Sequence, residues 1–227
     1  MPLLVPHQRQ LDLEAAKQVD VFIANSTETQ KRIKKYYKRS STVIHPPVET
    51  SRFTPARKRG DHYVTIGRQL PYKRYDLAVK AATKLNKKLI VFGNGPAHDQ
   101  LVKIAGPTIE FRTDRFGDAS DAEYEKAITT ARGFIYPAEE DFGIVSVEAL
   151  AAGAPVIGLA RGGTTDIVTS PDVGTLFHHQ TVDDVVKAVE IAEQTSFHPS
   201  KLARTAKRFD KGLFLTKIKK VVRDSIS

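Results

Sequence analysis

Six short apolar runs, regularly spaced from residue 60 onward, constrain the fold of this chain more than any other feature. They span residues 63–67, 88–92, 108–111, 133–136, 155–158 and 174–177. Each run is too short and too evenly apolar to be one face of an amphipathic helix, so we interpret the runs as strands buried on both faces. Strands of that kind occur in parallel sheets that are covered by helices.

The segments between these runs have the periodicity of helices. Apolar residues recur at helical spacing between residues 77 and 85. Gly153 is expected to end a helix over 144–152, and Thr181 to cap another. Repeated strand–helix units joined by short loops predict an α/β fold with a doubly wound, Rossmann-like parallel sheet. Such sheets bind ligands at the carboxyl ends of their strands.

Residues 1–50 do not continue this alternation. They contain an initial helical pattern and one β-α-β unit, with strands over 19–24 and 42–45 and a helix over 27–37. Ser26 is the expected N-cap of that helix. A unit of this size has no adequate core of its own, so it must pack against other structure.

The sequence therefore predicts four segments. A polar stretch follows the first unit and is typical of a linker. The last segment is helical, with apolar positions such as Leu213 and Leu215 that need cover. The predicted boundaries are 1–50 for the first unit, 51–60 for the linker, 61–208 for the main domain and 209–227 for the terminal helix.

The formal net charge of +9 raises the question of an anionic partner. The basic residues concentrate in 31–39 and 211–223, on two predicted helices. They form either a solvated surface or a surface for anionic lipid headgroups or phosphorylated acceptors. The chain has no Trp and no recognisable nucleic-acid-binding module, so we expect no nucleic-acid partner.

Other classes of protein are disfavoured by composition. No run approaches the roughly 20 apolar residues of a membrane span, and the first residues lack the pattern of a signal peptide. We therefore expect a cytoplasmic protein, with peripheral contact at the inner face of the membrane as an extension. The chain has no cysteine, and its seven histidines include no zinc-motif pair backed by a third ligand. We predict neither a metal site nor a prosthetic group.

The strongest functional signal is a pair of glutamates after the run at 133–136. Glu140 lies in the following loop, and Glu148 lies about one turn inside the next helix, with seven residues between them. Gly143 opens that helix and lets a ligand approach the backbone, while the helix N-terminus offers free N–H groups to a phosphate. The inner carboxylate can accept two hydrogen bonds from a ribose diol, and the outer one can reach sugar hydroxyls.

A second signal follows the first strand of the main domain. Gly67 ends that strand, and Arg68 and Lys73 flank the loop before the next helix. A guanidinium and an ammonium that converge on one loop suit a diphosphate leaving group, because they neutralise charge as the bond to phosphate breaks. We interpret this loop as the partner of the glutamate motif.

Together these two segments resemble the donor-binding domain of retaining GT-B glycosyltransferases of family 4. The resemblance covers nearly the whole chain. It implies binding of a nucleoside-diphosphate sugar and metal-independent transfer of a sugar with retention, with Glu140, Arg68 and Lys73 as catalytic residues. The implied donor contacts are Gly67, Arg68, Lys73, Glu140, Phe142, Gly143, Ile144, Val145 and Glu148.

Two glycine-containing turns add weaker signals. Residues 93–96 resemble a turn of the same family, although a plain turn explains them equally well. Residues 161–163 stand where the family has a glycine-rich loop near the donor. Asp166 stands where that loop usually continues to a glutamate, and we assign it no role.

The resemblance also suggests the donor and the partners. Residues 137–144 are similar to members that transfer mannose to polysaccharides or glycolipids, which favours GDP-mannose, with a UDP-sugar as the alternative donor. Residues 1–50 resemble the last part of an acceptor domain. We therefore expect this chain to bind donor without transferring sugar by itself. The candidate partners are a chain that supplies the acceptor domain and a second copy of this chain.

Two other functions remain open. One is a non-catalytic module that binds a nucleotide sugar together with a partner chain. The other is a protein similar to sugar-nucleotide epimerases, which share the two-domain architecture. Since the fold does not choose among these functions, the choice depends on the site.

Overall fold

The computed structural model describes residues 4–113 and 120–226. The strands within these residues are β1 (Ile23–Ala24), β2 (Thr42–Val43), β3 (His62–Ile66), β4 (Lys88–Phe92), β5 (Ile109–Arg112), β6 (Gly133–Tyr136), β7 (Val156–Leu159) and β8 (Gly174–Phe177). The last six form one parallel sheet in the order β5-β4-β3-β6-β7-β8. The predicted doubly wound sheet is confirmed.

Helices connect these strands and cover the sheet. They are α1 (Leu4–Lys17), α2 (Thr27–Tyr37), α3 (Tyr75–Lys84), α4 (His98–Ile104), α5 (Ser120–Thr130), α6 (Ile144–Ala151), α7 (Thr164–Ile167), α8 (Val182–Gln194), α9 (Pro199–Ala206) and α10 (Lys211–Ile226). Helices α3, α4 and α8 bury one face of the sheet, and α5, α6 and α9 bury the other.

The central strands alternate between these two cores. In β6, Phe134 and Tyr136 belong to one buried cluster and Ile135 belongs to the other. Every residue of β6 and β7 is buried. Successive side chains of a strand point to opposite faces, so a strand between two helical layers needs apolar residues at every position. This requirement explains why the runs in the sequence show no alternation.

Most predicted boundaries agree with the structure. The bounds of β4, β6, β8 and α2 are confirmed, as are the caps at Ser26 and Thr181. Strand β7 begins after Pro155, because proline has no N–H for a ladder hydrogen bond. Strand β3 ends at Ile66, because Gly67 leaves the strand with φ of +143°.

The predicted strand over 19–24 is wrong in length. Only Ile23 and Ala24 pair, with Thr42 and Val43 of β2. Since the partner strand has two residues, nothing extends the ladder toward Val19, which is exposed.

Residues 4–46, here called the N-terminal unit, contact the main sheet domain through polar side chains. Thr27 at the start of α2 donates a backbone hydrogen bond of 2.7 Å to Asp166 Oδ2. Arg32 of the same helix lies 2.6 Å from Asp141 Oδ1, in the loop after β6. These contacts place the unit beside the carboxyl ends of the central strands.

The predicted linker is firmly packed at both of its ends. Phe53 is buried in the core on the α6 face. Arg59 donates to the carbonyl oxygens of Thr129 and Ala131 and to those of Ala152 and Gly153. Burial lowers the pKa of the Arg59 guanidinium to about 10, and it remains charged at neutral pH. This charge stabilises the C-terminal end of α6, where unpaired carbonyl groups carry partial negative charge.

The backbone passes between the N-terminal unit and the main sheet domain at two neighbouring segments of the chain. Val48 accepts a hydrogen bond from Lys211 N and donates one to Phe209 O. The following helix, α10, leaves Leu213 and Leu215 exposed. No helix in residues 4–113 or 120–226 is long and apolar enough to cross a membrane.

Candidate functional site

The sheet reverses its winding between β3 and β6, which are neighbours in space but not in sequence. Ligands of doubly wound sheets bind in the crevice at such a switch point. A cleft of about 490 Å³ lies there, between the loops that follow the two strands. It is lined by Asn25, Pro46, Ile66, Gly67, Tyr72, Lys73, Tyr136 and residues 139–145.

The loop after β3 places Lys73 in this cleft. A side chain at Gly67 would collide with the hydroxyl of Tyr75. That hydroxyl donates a hydrogen bond of 2.7 Å to the carbonyl oxygen of Ile66 and so ties α3 to the end of β3. The 3₁₀ turn Pro71–Lys73 then carries the ammonium toward the loop after β6.

Glu140 receives this ammonium. Lys73 Nζ lies 2.8 Å from Glu140 Oε1, and the two side chains are 16% and 22% exposed. The hydroxyl of Tyr136 donates to Oε2 of the same carboxylate. Burial, followed by the charge of Glu140, raises the pKa of Tyr136 above its ordinary value, so the phenol is protonated at neutral pH. Both carboxylate oxygens therefore have a donor.

The N-terminus of α6 faces the same cleft. Gly143 is its N-cap, with φ of 93°, a region that glycine adopts without strain. Ile144 and Val145 line the cleft from the first helical turn, where backbone N–H groups have no acceptor within the helix. The cleft therefore combines a cation, a carboxylate and the positive end of a helix.

Two predicted site residues lie outside the cleft lining. Arg68 is exposed, and within the described residues its guanidinium shows no ion pair. Glu148 is half-buried and accepts a hydrogen bond of 3.1 Å from the hydroxyl of Tyr124. The structure therefore brings Lys73 and Glu140 into direct contact, whereas Arg68 and Glu148 are not among the residues that line the cleft.

The N-terminal unit forms one side of the cleft. Asn25 and Pro46 line it. Arg32 contacts both acidic neighbours of Glu140, at 2.6 Å from Asp141 and 3.8 Å from Glu139. The acidic loop thus holds its position through basic side chains from separate elements.

The turn at residues 161–163 supports this loop from behind. Gly163 N donates a hydrogen bond of 2.9 Å to the carbonyl oxygen of Glu140. A side chain on Gly162 would collide with that carbonyl group, and one on Gly163 with the backbone of Phe142. The two glycines are therefore needed for close packing of two loops.

The turn at residues 93–96 has a similar structural role. A Cβ on Gly95 would lie 2.7 Å from the carbonyl oxygen of Gln69. The buried side chain of Gln69 donates to the carbonyl oxygen of Gly93 at 2.6 Å and lies 2.8 Å from His98 Nδ1. These contacts join the loops after β3 and β4, and they explain the glycines without a ligand.

In the part of the chain that the structure describes, no group of three His, Cys, Asp or Glu side chains could hold a metal ion.

A family model supplies the decisive comparison. The model described as "Glycosyl transferases group 1" matches residues 47–209, which include both loops of the cleft. The chain belongs to the group 1 glycosyl transferases. This membership confirms the resemblance to glycosyltransferases, and it makes the cleft the candidate active site of such an enzyme.

A curated relative agrees with this family, and solved structures agree with the fold. The chain is 30% identical over 167 residues to D-inositol 3-phosphate glycosyltransferase of Mycobacterium leprae (strain TN). The aligned region covers 65% of this chain and 39% of that protein. The structure of this chain is similar to sucrose-phosphate synthase from Thermosynechococcus elongatus, with a TM-score of 0.79, 18% identity, and coverage of 96% of this chain and 61% of that one. It is equally similar to Anabaena HepE in complex with UDP and glucose, with a TM-score of 0.79, 18% identity, and coverage of 95% and 66%.

These similarities support different conclusions about fold and about length. At 18% identity, the two structures show the fold, which is of the GT-B type. The chain spans about 39% of the length of its curated relative from Mycobacterium leprae.

Sequence reasoning missed several residues of this glycosyltransferase cleft. The sequence pattern predicts Tyr136 only as the last residue of a strand. In the structure its hydroxyl donates a hydrogen bond to Glu140. Asn25 follows β1 directly, and Pro46 lies three residues after the end of β2. Residues that follow parallel strands gather at one edge of a sheet, and this signal was available for both.

Proposed function

We propose that the cleft binds a nucleoside-diphosphate sugar and that this chain is the donor half of a family 4, retaining, metal-independent glycosyltransferase. The observation that carries the proposal is the pairing of Lys73 with Glu140 beside the N-terminus of α6, across the switch point of the sheet. Diphosphate recognition needs positive charge and N–H donors, and hexose recognition needs a carboxylate. The cleft has all three.

The proposed residue roles follow from this placement. Lys73 and the first turn of α6 contact the diphosphate, and Arg68 reaches it from the edge of the same loop. Glu140 accepts hydrogen bonds from hexose hydroxyls once a phosphate has drawn Lys73 away from it. Glu148 contacts the ribose. During transfer the departing diphosphate takes the proton of the acceptor, which attacks from the same face of the sugar.

The donor itself is a narrower proposal. The acidic segment around Glu140 favours GDP-mannose by its resemblance to mannosyltransferases. The complex of Anabaena HepE with UDP and glucose supports the alternative, a UDP-sugar. The inositol phosphate acceptor in the name of the mycobacterial relative supports a phosphorylated polyol as the acceptor class.

We also propose that the boundaries 1–50, 51–60, 61–208 and 209–227 separate an acceptor-domain segment, a linker, the donor domain and a crossing helix. The separate two-stranded sheet of the N-terminal unit supports the first boundary. An acceptor must be held beside the reacting sugar for fast transfer. This chain alone should therefore hydrolyse donor slowly at most, and a partner chain or a second copy should complete the cleft.

Peripheral contact with an anionic membrane at the cytoplasmic face is a further proposal. Lys34 and Lys38 of the α2 end are exposed, and α10 exposes Leu213, Leu215 and Val222 beside its lysines. Basic residues with apolar neighbours on one helix suit the interface of an anionic bilayer.

A thermal-shift panel of GDP, UDP, ADP and their sugars tests the proposed function. A ligand that binds only the folded state raises the melting temperature by mass action. At a concentration one hundred times its Kd, the ligand adds about 2.7 kcal/mol to the free energy of unfolding. We expect one diphosphate and its sugar to stabilise the chain, while the matching nucleoside does not. If none of these ligands shifted the melting temperature, a non-catalytic scaffold would replace this proposal.

A further inference from the structure

We propose that Tyr136 is a positioning residue that gives the cleft its preference for a nucleotide sugar over the bare nucleoside diphosphate, by holding Glu140 toward the hexose. This inference rests on the proposed function. It concerns a buried side chain in the wall of the cleft that acts through the carboxylate of Glu140.

The two oxygens of Glu140 have partners of different kinds. Oε1 pairs with the ammonium of Lys73 at 2.8 Å, and Oε2 accepts a hydrogen bond from the hydroxyl of Tyr136. A diphosphate bound in the cleft competes for Lys73, because its charge exceeds that of one carboxylate. Tyr136 offers no such charge to a phosphate. Its hydrogen bond therefore remains when the donor is bound.

Tyr136 is fixed in place more firmly than Lys73. It is 0% exposed at the end of β6, and its ring stacks on Phe134 at a centroid distance of 5.8 Å. A Cβ on Gly143 would lie 3.1 Å from the same ring, so the start of α6 packs closely against it. Because the ring cannot move, the direction of its hydroxyl is set by the core.

The backbone of Glu140 is fixed as well. Gly163 N donates to its carbonyl oxygen at 2.9 Å. With the backbone held by one loop and Oε2 held by Tyr136, the carboxylate has one well-defined direction after Lys73 leaves. Holding a side chain in its binding geometry before the ligand arrives lowers the entropy cost of binding.

Tyr136→Phe removes the hydroxyl and keeps the ring. We expect the affinity for the nucleotide sugar to fall roughly three- to tenfold, as for loss of one ordinary hydrogen bond, because Tyr136 acts on the ligand only through Glu140. The affinity for the diphosphate should stay the same. Calorimetry of UDP against UDP-glucose, and of GDP against GDP-mannose, measures both. Tyr75→Phe is the matched control, because its hydroxyl donates to the carbonyl oxygen of Ile66 and, among the described residues, shows no hydrogen bond to Glu140. Any loss in that variant should fall equally on both ligands.

A double-mutant cycle separates positioning from a general structural effect. On a Glu140→Ala background, Tyr136→Phe should no longer change the ratio of the two affinities. If Tyr136→Phe failed to fold, Glu140→Asp would decide, since its shorter side chain retracts from the hydroxyl and should lose the same preference.

The outcomes distinguish this inference from the function on which it rests. A wild-type chain that prefers the sugar nucleotide, together with an unchanged preference in Tyr136→Phe, overturns the inference and leaves the function standing. Equal losses for both ligands also overturn it. A wild-type chain that binds neither ligand overturns both.

Discussion

His45 links the N-terminal unit to the loop that carries Glu140. Its Nε2 lies 3.2 Å from Asp166 Oδ2, and its ring contacts those of Phe142 and Phe209 at centroid distances of 5.3 and 5.0 Å. Burial lowers the pKa of His45, and this effect outweighs the opposing attraction of Asp166. Lys217 and Arg208 act in the same direction as burial.

This shift predicts a pH dependence of stability. Because the folded pKa of His45 lies below its ordinary value of 6.5, the unfolded chain takes up the proton first as the pH falls. The fold is therefore destabilised progressively below that value and is unaffected well above it. We expect the melting temperature to fall from about pH 7.5 to about pH 5.5, and to fall less in His45→Gln. Equal slopes in the two proteins would show that His45 does not carry this effect.

The residue contacts of the cleft could be predicted only in part. The proposed contacts of Lys73 with a diphosphate and of Glu140 with a sugar could be predicted from residue type and from position after strands. Their contact was not, because 67 positions separate them and only the sheet order brings β3 beside β6. The contact of Tyr136 with Glu140 depends on the path of an irregular loop, for which no periodic pattern exists.

Among the elements, α2 and its neighbour α7 show how the N-terminal unit is attached. Asp166, on α7, accepts from the backbone N–H and the hydroxyl of Thr27. A carboxylate at a helix N-terminus satisfies free N–H groups and interacts favourably with the helix dipole. Asp166 thus supplements the Ser26 cap of α2 from the other part of the molecule, a role that the sequence did not indicate.

Asp166→Asn should loosen this attachment. Loss of a negative charge at a helix N-terminus costs about 0.3–1 kcal/mol, so we expect faster hydrogen exchange at the start of α2. The sheet strands should keep their protection. Asp183→Asn, which removes an exposed partner of Lys84, is the matched control and should change neither. Unchanged exchange at α2 in Asp166→Asn would mean that Arg32 and the chain crossing hold the unit by themselves.

The elements of the main domain could be predicted well because each has one strong constraint. Strands β6 and β8 begin at glycines and are mainly apolar, and α2 follows a capping serine. Strand β1 could not, because the apolar residues Val19 and Val21 gave it a false length. Their exposure in the structure shows that hydrophobicity alone does not make a strand when no partner is present.

At the scale of the whole molecule, the strand order of the sheet determines where the cleft lies. The doubly wound order places the loops after β3 and β6 side by side, and the N-terminal unit adds a third border. Exposed apolar residues remain on α1 and α10, such as Leu11 and Leu213. Burial of such side chains is worth about 1.5–3 kcal/mol each, which favours further contacts with a partner.

Calorimetry of a nucleoside diphosphate on three lysine and arginine variants tests the central claim most directly. Lys73→Ala should weaken UDP or GDP binding by about 1.5–3 kcal/mol, because it removes a charge-assisted contact and leaves Glu140 unpaired by a cation. Arg68→Ala should act in the same direction. Lys84→Ala removes the same charge from an exposed pair at the C-terminal end of α3, and it should bind normally. Normal binding by both Lys73→Ala and Arg68→Ala would contradict the placement of the donor in this cleft.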